Sequence, residues 1–197
     1  MTAADPLRDK AQLRKTLRRA RMALPRAYRQ QAARAIARHA SRLLRRGKHL
    51  GAYIAAGSEL DMAPLMTTAH ARGAALYLPV IPQRGRRLWF ARLGAAKLWY
   101  THPRYGITEY AGPQLRAERL DVLFVPLLGI DADGYRMGQG GGFYDSTLAF
   151  RRRHPRYGKP LLVGVAYDCQ RVARVPREPW DVRLDYLLTE SGLHRFA

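Results

Sequence analysis

Cysteine is nearly absent from this sequence, since Cys169 is the only one among 197 residues. No disulfide can form within the chain, and a reducing, cytoplasmic location is the simplest expectation. No apolar run approaches the roughly 18 residues of a membrane-spanning helix, and the N-terminal stretch is charged where a secretory signal would be apolar. Repeats, low-complexity segments and interdomain linkers are also missing, so we expect one domain over residues 1–197 without a membrane partner.

Acidic residues are scarce as well. Asp and Glu total 15 against 35 Lys and Arg, which gives a formal net charge of +20. Such a field attracts anions, including nucleotides, nucleic acid, polyglutamate tails and acidic membranes. The arginines recur along the whole chain, and the aromatic signatures of RNA-binding modules are missing. We therefore expect no specific nucleic-acid function, with a basic RNA-binding protein as one alternative.

Four stretches of the sequence have helical patterns. Leu13, Leu17 and Ala20 recur at helical spacing within residues 7–23, and a second apolar stripe runs through residues 28–46 to a stop at Gly47. These two patterns predict an N-terminal helical pair. Further helices are predicted at MAPLMTTAHAR, with its proline in the first turn, and at YDSTLAFRR.

Apolar segments between the helices predict strands. They are HLGAYIAA, AALYLPVI, LDVLFVPLLGID, PLLVGVAYD and LDYLLTE, with RRLWFARL as a candidate hairpin partner of AALYLPVI. The LDVLFVPLLGID segment has no polar face, which is typical of a strand buried on both sides in a parallel sheet. Alternating strands and helices predict an α/β fold with a mostly parallel sheet covered by helices on both faces.

A glycine-rich stretch, GYRMGQGGGFYDS, follows the most apolar strand and precedes a predicted helix. Glycines there let backbone N–H groups approach an anion, and the helix N-terminus adds partial positive charge. Arg136 could neutralise further phosphate charge through its forked donors. The spacing is neither that of the Walker A loop nor that of the dinucleotide fingerprint. From the residues alone, a phosphate cradle and a structurally required turn both stay open.

Asp145, directly after the glycines, indicates a cation. A carboxylate beside a bound phosphate is repelled unless a cation lies between them, and Mg²⁺ prefers one or two carboxylates together with phosphate oxygens. A second carboxylate could come from Asp181 or Asp185 in EPWDVRLD. The alternative is that Asp145 only favours the positive end of its helix and that the other two are solvated loop acids.

Several motifs occur together along the chain. RMGQGGGFYD, KAQLR, GSELDMAPL, YLPVI, LDVLFVPLLGID, VGVAYDCQ and VPREPWDVRLD span nearly all of it. In order and approximate spacing they resemble the 5-formyltetrahydrofolate cyclo-ligase (5,10-methenyltetrahydrofolate synthetase) family. The resemblance implies an ATP- and Mg²⁺-dependent ligase that converts 5-formyltetrahydrofolate to 5,10-methenyltetrahydrofolate and releases ADP and phosphate. In that reaction the formyl oxygen is phosphorylated, and N10 then attacks the formyl carbon to close the ring.

The resemblance also implies the site residues. It assigns ATP binding to Lys10, Arg14, Arg136, Gly138, Gly140, Gly141, Gly142, Phe143 and Tyr144, with catalytic roles for Lys10, Arg136 and Tyr144. It assigns magnesium to Asp145 and Asp181, and the pterin to Ile54 and Glu59. Lys10 and Arg14 are one helical turn apart and can point the same way, although that spacing alone fits a solvated basic face. Ile54 alone fits ordinary core, and Glu59 alone fits an acid at a helix N-terminus.

Two positions depart from the family's pattern. Some members carry a Lys where this chain has Gly141, so the charge of the transferred phosphoryl group would rest on Arg136, Lys10 and Mg²⁺. Members commonly have Glu-Pro where this chain has Glu109 and Tyr110, which leaves the shape of the loop over the folate open.

The aromatic residues and the choice of enzyme class leave further alternatives. Trp89, Trp99, Tyr100 and Tyr105 could stack on the substrate, but packing is the expectation for each of them. A sugar-phosphate enzyme on a similar scaffold would keep the anion loop and leave the paired carboxylates without a role. We expect a monomer that acts on 5-formyltetrahydrofolate, including its polyglutamylated forms.

Overall fold

A computed structural model describes residues 6–94, 98–153 and 158–196 of the chain. The helices of this part are α1 (Pro6–Met22), α2 (Arg26–His39), α3 (Ala63–Ala71) and α4 (Phe143–Arg153). Short 3-10 turns follow at Ala40–Arg42, Ala117–Arg119 and Asp168–Gln170. None of the helices within the described ranges is long and apolar enough to cross a membrane.

The described strands form one large sheet and two hairpins. They are β1 (His49–Gly51), β2 (Ala75–Val80), β3 (Trp89–Arg92), β4 (Leu98–Thr101), β5 (Thr108–Ala111), β6 (Gln114–Leu115), β7 (Val122–Pro126), β8 (Gly129–Ile130), β9 (Arg136–Met137), β10 (Leu161–Val165), β11 (Tyr186–Thr189) and β12 (Gly192–Arg195). The large sheet has the order β12-β11-β10-β7-β1-β2-β3-β6. The five central strands β11, β10, β7, β1 and β2 are parallel to one another, whereas β12 at one edge and β3 and β6 at the other pair in antiparallel fashion.

Successive residues of β7 face opposite sides of the sheet, because side chains alternate along a strand. Phe124 belongs to the buried cluster that contains Ile36 of α2 and Leu65 of α3. Leu123 belongs to a second cluster, which contains Leu148 of α4. Helices therefore cover both faces of a mostly parallel sheet, and the predicted α/β fold is confirmed.

The two N-terminal helices are present, but they pack on different parts of the fold. Helix α2 lies on one face of the sheet, whereas Leu17 of α1 forms a small cluster with Met137 of β9 and Val175. The second helix is also shorter than predicted, since it ends at His39 and not near residue 46. The apolar stripe continues through the following 3-10 turn, which explains the overestimate.

Several short strands were not predicted. The hairpins β4–β5 and β8–β9 and the edge strand β12 lack a readable pattern, because β8 and β9 have two residues each and all four residues of β4 are exposed. Strand β1 ends at Gly51, so Ile54 lies in the following loop, 42% exposed, and its interpretation as ordinary core is wrong. The hairpin pairing of β2 with β3 is confirmed.

Asp121 joins three segments at the amino ends of the central strands. It accepts hydrogen bonds from the His49 amide (3.0 Å), Lys48 Nζ (3.1 Å) and Lys159 Nζ (2.6 Å). Partial burial by itself would raise the pKa of Asp121, but the bonds from Lys159, the His49 amide and Lys48 lower it to about 2.

Replacing Asp121 by asparagine should therefore lower the free energy of unfolding at pH 7 by about 1–2 kcal/mol. Because the folded-state pKa lies below the ordinary value of 3.8, this contribution is present above pH 3.8 and is lost as the pH falls through about 2. Urea unfolding of both proteins between pH 2 and 7 measures the difference. An equal difference at pH 2 and pH 7 would contradict an ionic origin.

Candidate active site

The glycine loop connects β9 to α4 near the carboxyl ends of the parallel strands, where ligands of open α/β sheets bind. Gly140 and Gly142 have φ angles of +100° and +68°, which favour glycine strongly. A Cβ atom on Gly141 would lie 3.0 Å from the ring of Phe143. A side chain at this exposed position, where some family members carry Lys, would therefore require the Phe143 ring to shift slightly.

One face of α1 runs along this loop. Lys10, Arg14 and Arg18 are spaced by four residues and so share a face. Arg14 Nε donates to the carbonyl of Gly138 (3.2 Å), and Arg18 Nη2 donates to the side-chain oxygen of Gln139 (2.9 Å). The adjacent apolar stripe of α1 is anchored beside the loop, because Leu17 and the partly buried Leu13 pack with Met137. This basic face is therefore held against the loop.

Arg136 is the buried cation of the site. Its side chain is 4% exposed, and its guanidinium donates to the carbonyl of Val182 (2.9 Å) and to Asp145 Oδ1 (2.5 Å). Arg136 thus joins β9, the first turn of α4 and the segment before β11. Asp145 is 36% exposed at its side chain, so one side of its carboxylate remains accessible.

Asp181 is electrostatically coupled to the same group. Burial, and the nearby charge of Asp145, raise the pKa of Asp181, whereas the Glu178 amide, Lys10 and Arg136 oppose this increase. Its Oδ2 accepts a hydrogen bond from the Glu178 amide (2.8 Å). Two carboxylates close enough to repel each other suit a hard divalent cation, and phosphate oxygens would complete its coordination.

Asp185, the other candidate for the second carboxylate, has a different role. It accepts hydrogen bonds from Arg151 Nη2 (3.0 Å) and from the Leu162 amide (2.7 Å), which attach β11 to α4 and β10. The structure therefore favours Asp181 as the partner of Asp145. Among the described residues, no group of three or more His, Cys, Asp or Glu side chains could hold a metal ion by itself.

A cavity of about 400 Å³ lies beside the loop, within the range of small-molecule sites. Its walls include Ile54, Glu59, Phe143, Tyr144 and Ile107. A larger open cleft of about 1320 Å³ adjoins it and shares the walls Tyr53, Ile54, Ala55, Gly57 and Glu59. Both residues expected to contact the pterin therefore line a cavity that also reaches the start of α4.

The Tyr144 hydroxyl is buried without a hydrogen-bond partner among the described residues. Burial raises the pKa of Tyr144 well above its usual value; the negative charge of Glu59 acts in the same direction, and Arg136 acts against it. The hydroxyl is thus a neutral donor at physiological pH. A buried polar group without a partner is costly, and a ligand group can supply the missing partner.

The β4–β5 hairpin lies over this cavity, with Gly106, Ile107 and Thr108 in its wall. Tyr105 packs edge-on against Phe143, with 5.5 Å between ring centroids. Tyr110, which stands where family members have proline, is 2% exposed, and its hydroxyl accepts a hydrogen bond from the Gly94 amide (3.0 Å). Tyr110 therefore anchors the hairpin.

The aromatic residues considered as stacking partners of the substrate do not line the small cavity; they are Trp89, Trp99, Tyr100 and Tyr105. Cζ of Arg116 lies 3.3 Å from the ring centroid of Trp89. Trp99 packs edge-on against Tyr110, with 4.9 Å between the ring centroids. Tyr100 and Tyr105 are also outside the cavity wall, and Tyr105 packs against Phe143, which belongs to that wall. The expectation of packing roles fits these positions.

Sequence reasoning missed several residues at this site. Arg18 had a signal, since it continues the spacing of Lys10 and Arg14. The carboxylate of Glu178 accepts a 2.6 Å hydrogen bond from Lys10 Nζ, and the only sequence signal for this residue was its position in the VPREPWD motif. Arg86 had no sequence signal. It lies against the glycine loop, because a Cβ atom built on Gly142 would be 3.2 Å from Arg86 Nη1.

Comparison with known proteins identifies relatives over nearly the whole chain. The profile of the 5-formyltetrahydrofolate cyclo-ligase family matches residues 6–190. A protein named 5-formyltetrahydrofolate cyclo-ligase from Escherichia coli K12 is 35% identical over 146 residues, 71% of this chain and 76% of that protein. One of the same name from Mycolicibacterium smegmatis is 32% identical over 194 residues, 92% and 94% of the two chains. The NMR structure of Aquifex aeolicus 5,10-methenyltetrahydrofolate synthetase matches with a TM-score of 0.75 and 29% identity, over 95% of this chain and 92% of the other.

The fold, with a glycine loop and charged side chains at the carboxyl edge of a mostly parallel sheet, is that of an α/β enzyme. More narrowly, the chain belongs to the 5-formyltetrahydrofolate cyclo-ligase family. Family membership favours this enzyme class over the sugar-phosphate enzyme and the RNA-binding protein.

Replacing Asp181 by asparagine should leave the metal-free protein at pH 7 as stable as the wild type or more stable. The raised pKa shows that the ionised carboxylate is disfavoured in the folded state. The wild type should therefore lose stability relative to the variant as the pH rises from 3.8 through the folded-state pKa, and the difference should vanish below pH 3.8. Melting temperatures without Mg²⁺ between pH 3 and 8 measure this. A variant less stable than the wild type at every pH would contradict the raised pKa of Asp181.

Proposed function

We propose that the chain catalyses the ATP- and Mg²⁺-dependent conversion of 5-formyltetrahydrofolate to 5,10-methenyltetrahydrofolate, with release of ADP and phosphate. One observation carries this proposal: Arg136, Asp145 and Asp181 meet at the glycine loop, beside a cavity whose wall contains Glu59 and Tyr144. The family and its named members support the reaction class.

The nucleotide would bind along the loop formed by residues 138–144. Backbone N–H groups of the loop and the N-terminus of α4 suit the phosphates, and the basic face of α1 adds Lys10 and Arg14. Because Lys10 is paired with Glu178 and Arg136 with Asp145, this ligand must carry both signs of charge to replace these partners. Mg·ATP does so, with the metal at Asp145 and Asp181 and the phosphates at the cations.

The folate would occupy the 400 Å³ cavity. The carboxylate of Glu59 accepts a hydrogen bond from the Ala56 amide (3.1 Å) at Oε2, and a carboxylate has further acceptor capacity for the N–H groups of a pterin. Ile54 is exposed at this wall and would contact the flat face of the ring. Tyr144 lies at the side of the cavity that meets the glycine loop, where the formyl oxygen must approach the γ-phosphate.

The chemistry requires alignment, charge stabilisation and exclusion of water. When bound, Mg·ATP supplies a phosphoryl group that turns the formyl oxygen into a leaving group, so that N10 can close the ring. Arg136 fixes the orientation of Asp145, and Lys10 balances charge on the transferred group, since Gly141 offers no lysine. The neutral Tyr144 hydroxyl donates a hydrogen bond to an oxygen of the reacting group.

The proposal extends to the setting of the reaction. We infer that residues 1–197 act as one cytoplasmic, monomeric domain and that polyglutamylated substrate is accepted. The +20 charge would attract both the nucleotide and an anionic folate tail.

Purified, metal-replete protein should form the methenyl product, seen by its near-ultraviolet absorbance, only when ATP, Mg²⁺ and 5-formyltetrahydrofolate are all present. Leaving out each component in turn provides the controls. Absence of turnover with all three present would refute the proposed reaction.

Replacing Tyr144 by phenylalanine should separate activity from stability. We expect kcat to fall by roughly ten- to hundredfold, because one preorganised donor is lost. The free energy of unfolding should stay equal or rise by about 1 kcal/mol, because the substitution removes a buried hydroxyl that has no partner in the described part of the chain. Steady-state kinetics and urea unfolding measure both.

Tyr110→Phe is the matched control for this experiment. Its hydroxyl has a partner outside the cavity, so this variant should lose stability and keep kcat. A wild-type kcat in the Tyr144→Phe variant would show that the hydroxyl has no role in the reaction.

A further inference from the structure

The segment that carries Glu178 and Asp181 has no helix or strand between residues 172 and 185. Main-chain hydrogen bonds fix its two ends, from the Val172 amide to the Ile130 carbonyl (2.9 Å) and from the Leu184 amide to the Gly134 carbonyl (3.0 Å). Between these ends, the position of the segment depends on individual side-chain contacts. Whatever holds it there also sets where Asp181 lies.

Asp131, at the end of β8, makes such a contact from outside the site. Its side chain is 1% exposed. Oδ1 accepts hydrogen bonds from the amides of Asp133 (3.1 Å) and Tyr135 (3.0 Å), which form the turn before Arg136. Oδ2 accepts hydrogen bonds from the amide of Val175 (3.2 Å) and from Nη2 of Arg177 (3.2 Å). One buried carboxylate thus divides its two oxygens between two segments.

Arg177 strengthens the same connection. Besides Asp131, it pairs with Asp133, and its guanidinium lies over the ring of Tyr135, 4.1 Å from the centroid. Tyr135 directly precedes Arg136, and Arg177 directly precedes Glu178. The link therefore joins the residues adjacent to two charged groups of the site.

We propose that Asp131 is a positioning residue for the metal and nucleotide site. It keeps the Glu178–Asp181 turn in register with Arg136, so that Asp181 faces Asp145. The inference rests on the proposed function, and Asp131 itself contacts neither the nucleotide nor the folate. Asp131 should consequently affect metal and nucleotide use far more than folate binding.

An Asp131→Asn substitution tests the link selectively. The amide oxygen of asparagine can still accept from Asp133 and Tyr135, but its NH₂ group would face two donors, the Val175 amide and Arg177. The turn before Arg136 is kept and the connection to the second segment is lost. Arg177→Gln is a milder second variant, because it removes one of the two donors and leaves the Val175 amide in place.

Three quantities are measured for each protein: the Mg²⁺ concentration for half-maximal activity, KM for ATP, and KM for 5-formyltetrahydrofolate. For Asp131→Asn we expect the Mg²⁺ concentration for half-maximal activity to rise at least fivefold and KM for ATP to rise with it. KM for the folate should change less than twofold. Arg177→Gln should shift the same two quantities by a smaller factor.

Asp121→Asn is the matched control, because Asp121 also joins segments through a largely buried carboxylate but lies at the opposite ends of the strands. It should lower the melting temperature without changing the Mg²⁺ requirement. Unchanged Mg²⁺ and ATP requirements in folded Asp131→Asn and Arg177→Gln would overturn the proposal. So would an equal rise in all three quantities, which indicates general damage.

Equilibrium dialysis of ATP with and without Mg²⁺ separates failure of this inference from failure of the proposed reaction. Wild-type protein that binds ATP more tightly with Mg²⁺ but forms no methenyl product would refute the reaction alone. In that case a weaker Mg²⁺ effect in Asp131→Asn would still support the positioning role. Wild-type protein without any Mg²⁺ effect on ATP binding would overturn both.

Discussion

The buried guanidinium of Arg136 is the interaction on which the charged site depends. A cation that is 4% exposed must have hydrogen-bond partners, and its partners are the Val182 carbonyl and Asp145. Through them it fixes β9, the first turn of α4 and the segment before β11 relative to one another. The glycine loop lies between the first two of these elements, so its shape is constrained by the same contact.

The site combines acidic and basic groups in a strongly basic protein. Lys10 pairs with Glu178 and Arg136 with Asp145, while Asp181 is left with a raised pKa beside Asp145. Net charge therefore describes the attraction of anions over a distance, whereas the local pairs determine which ligand can bind. A ligand that carries a cation and phosphates can replace both kinds of internal partner. Its cation can take the place of Arg136 beside Asp145, and its phosphates can take the place of the carboxylates beside Lys10 and Arg136.

The sequence predicted the elements that have long or wholly apolar patterns. The α/β class, the pairing of β2 with β3 and the buried strand around Phe124 follow from periodicity and composition, because burial on one or two faces dictates residue type. The hairpins β4–β5 and β8–β9 left no such pattern, since they are short or exposed. From the residues alone, Ile54 could not be separated from ordinary core for a related reason: it follows an apolar strand, but β1 ends three residues earlier and Ile54 is exposed.

The sequence by itself determined the family, the glycine loop and most of the residues now found beside it. Arg18 could have been added, because its spacing continues that of Lys10 and Arg14 on α1. Only the tertiary structure showed that Asp185 is bound to Arg151 and the Leu162 amide, that the Tyr144 hydroxyl has no hydrogen-bond partner among the described residues, and that Asp131 contacts Arg177 across 46 positions of sequence. The physical reason is that local patterns record burial and helical spacing, whereas hydrogen bonds between distant loops depend on how the sheet brings its strand ends together.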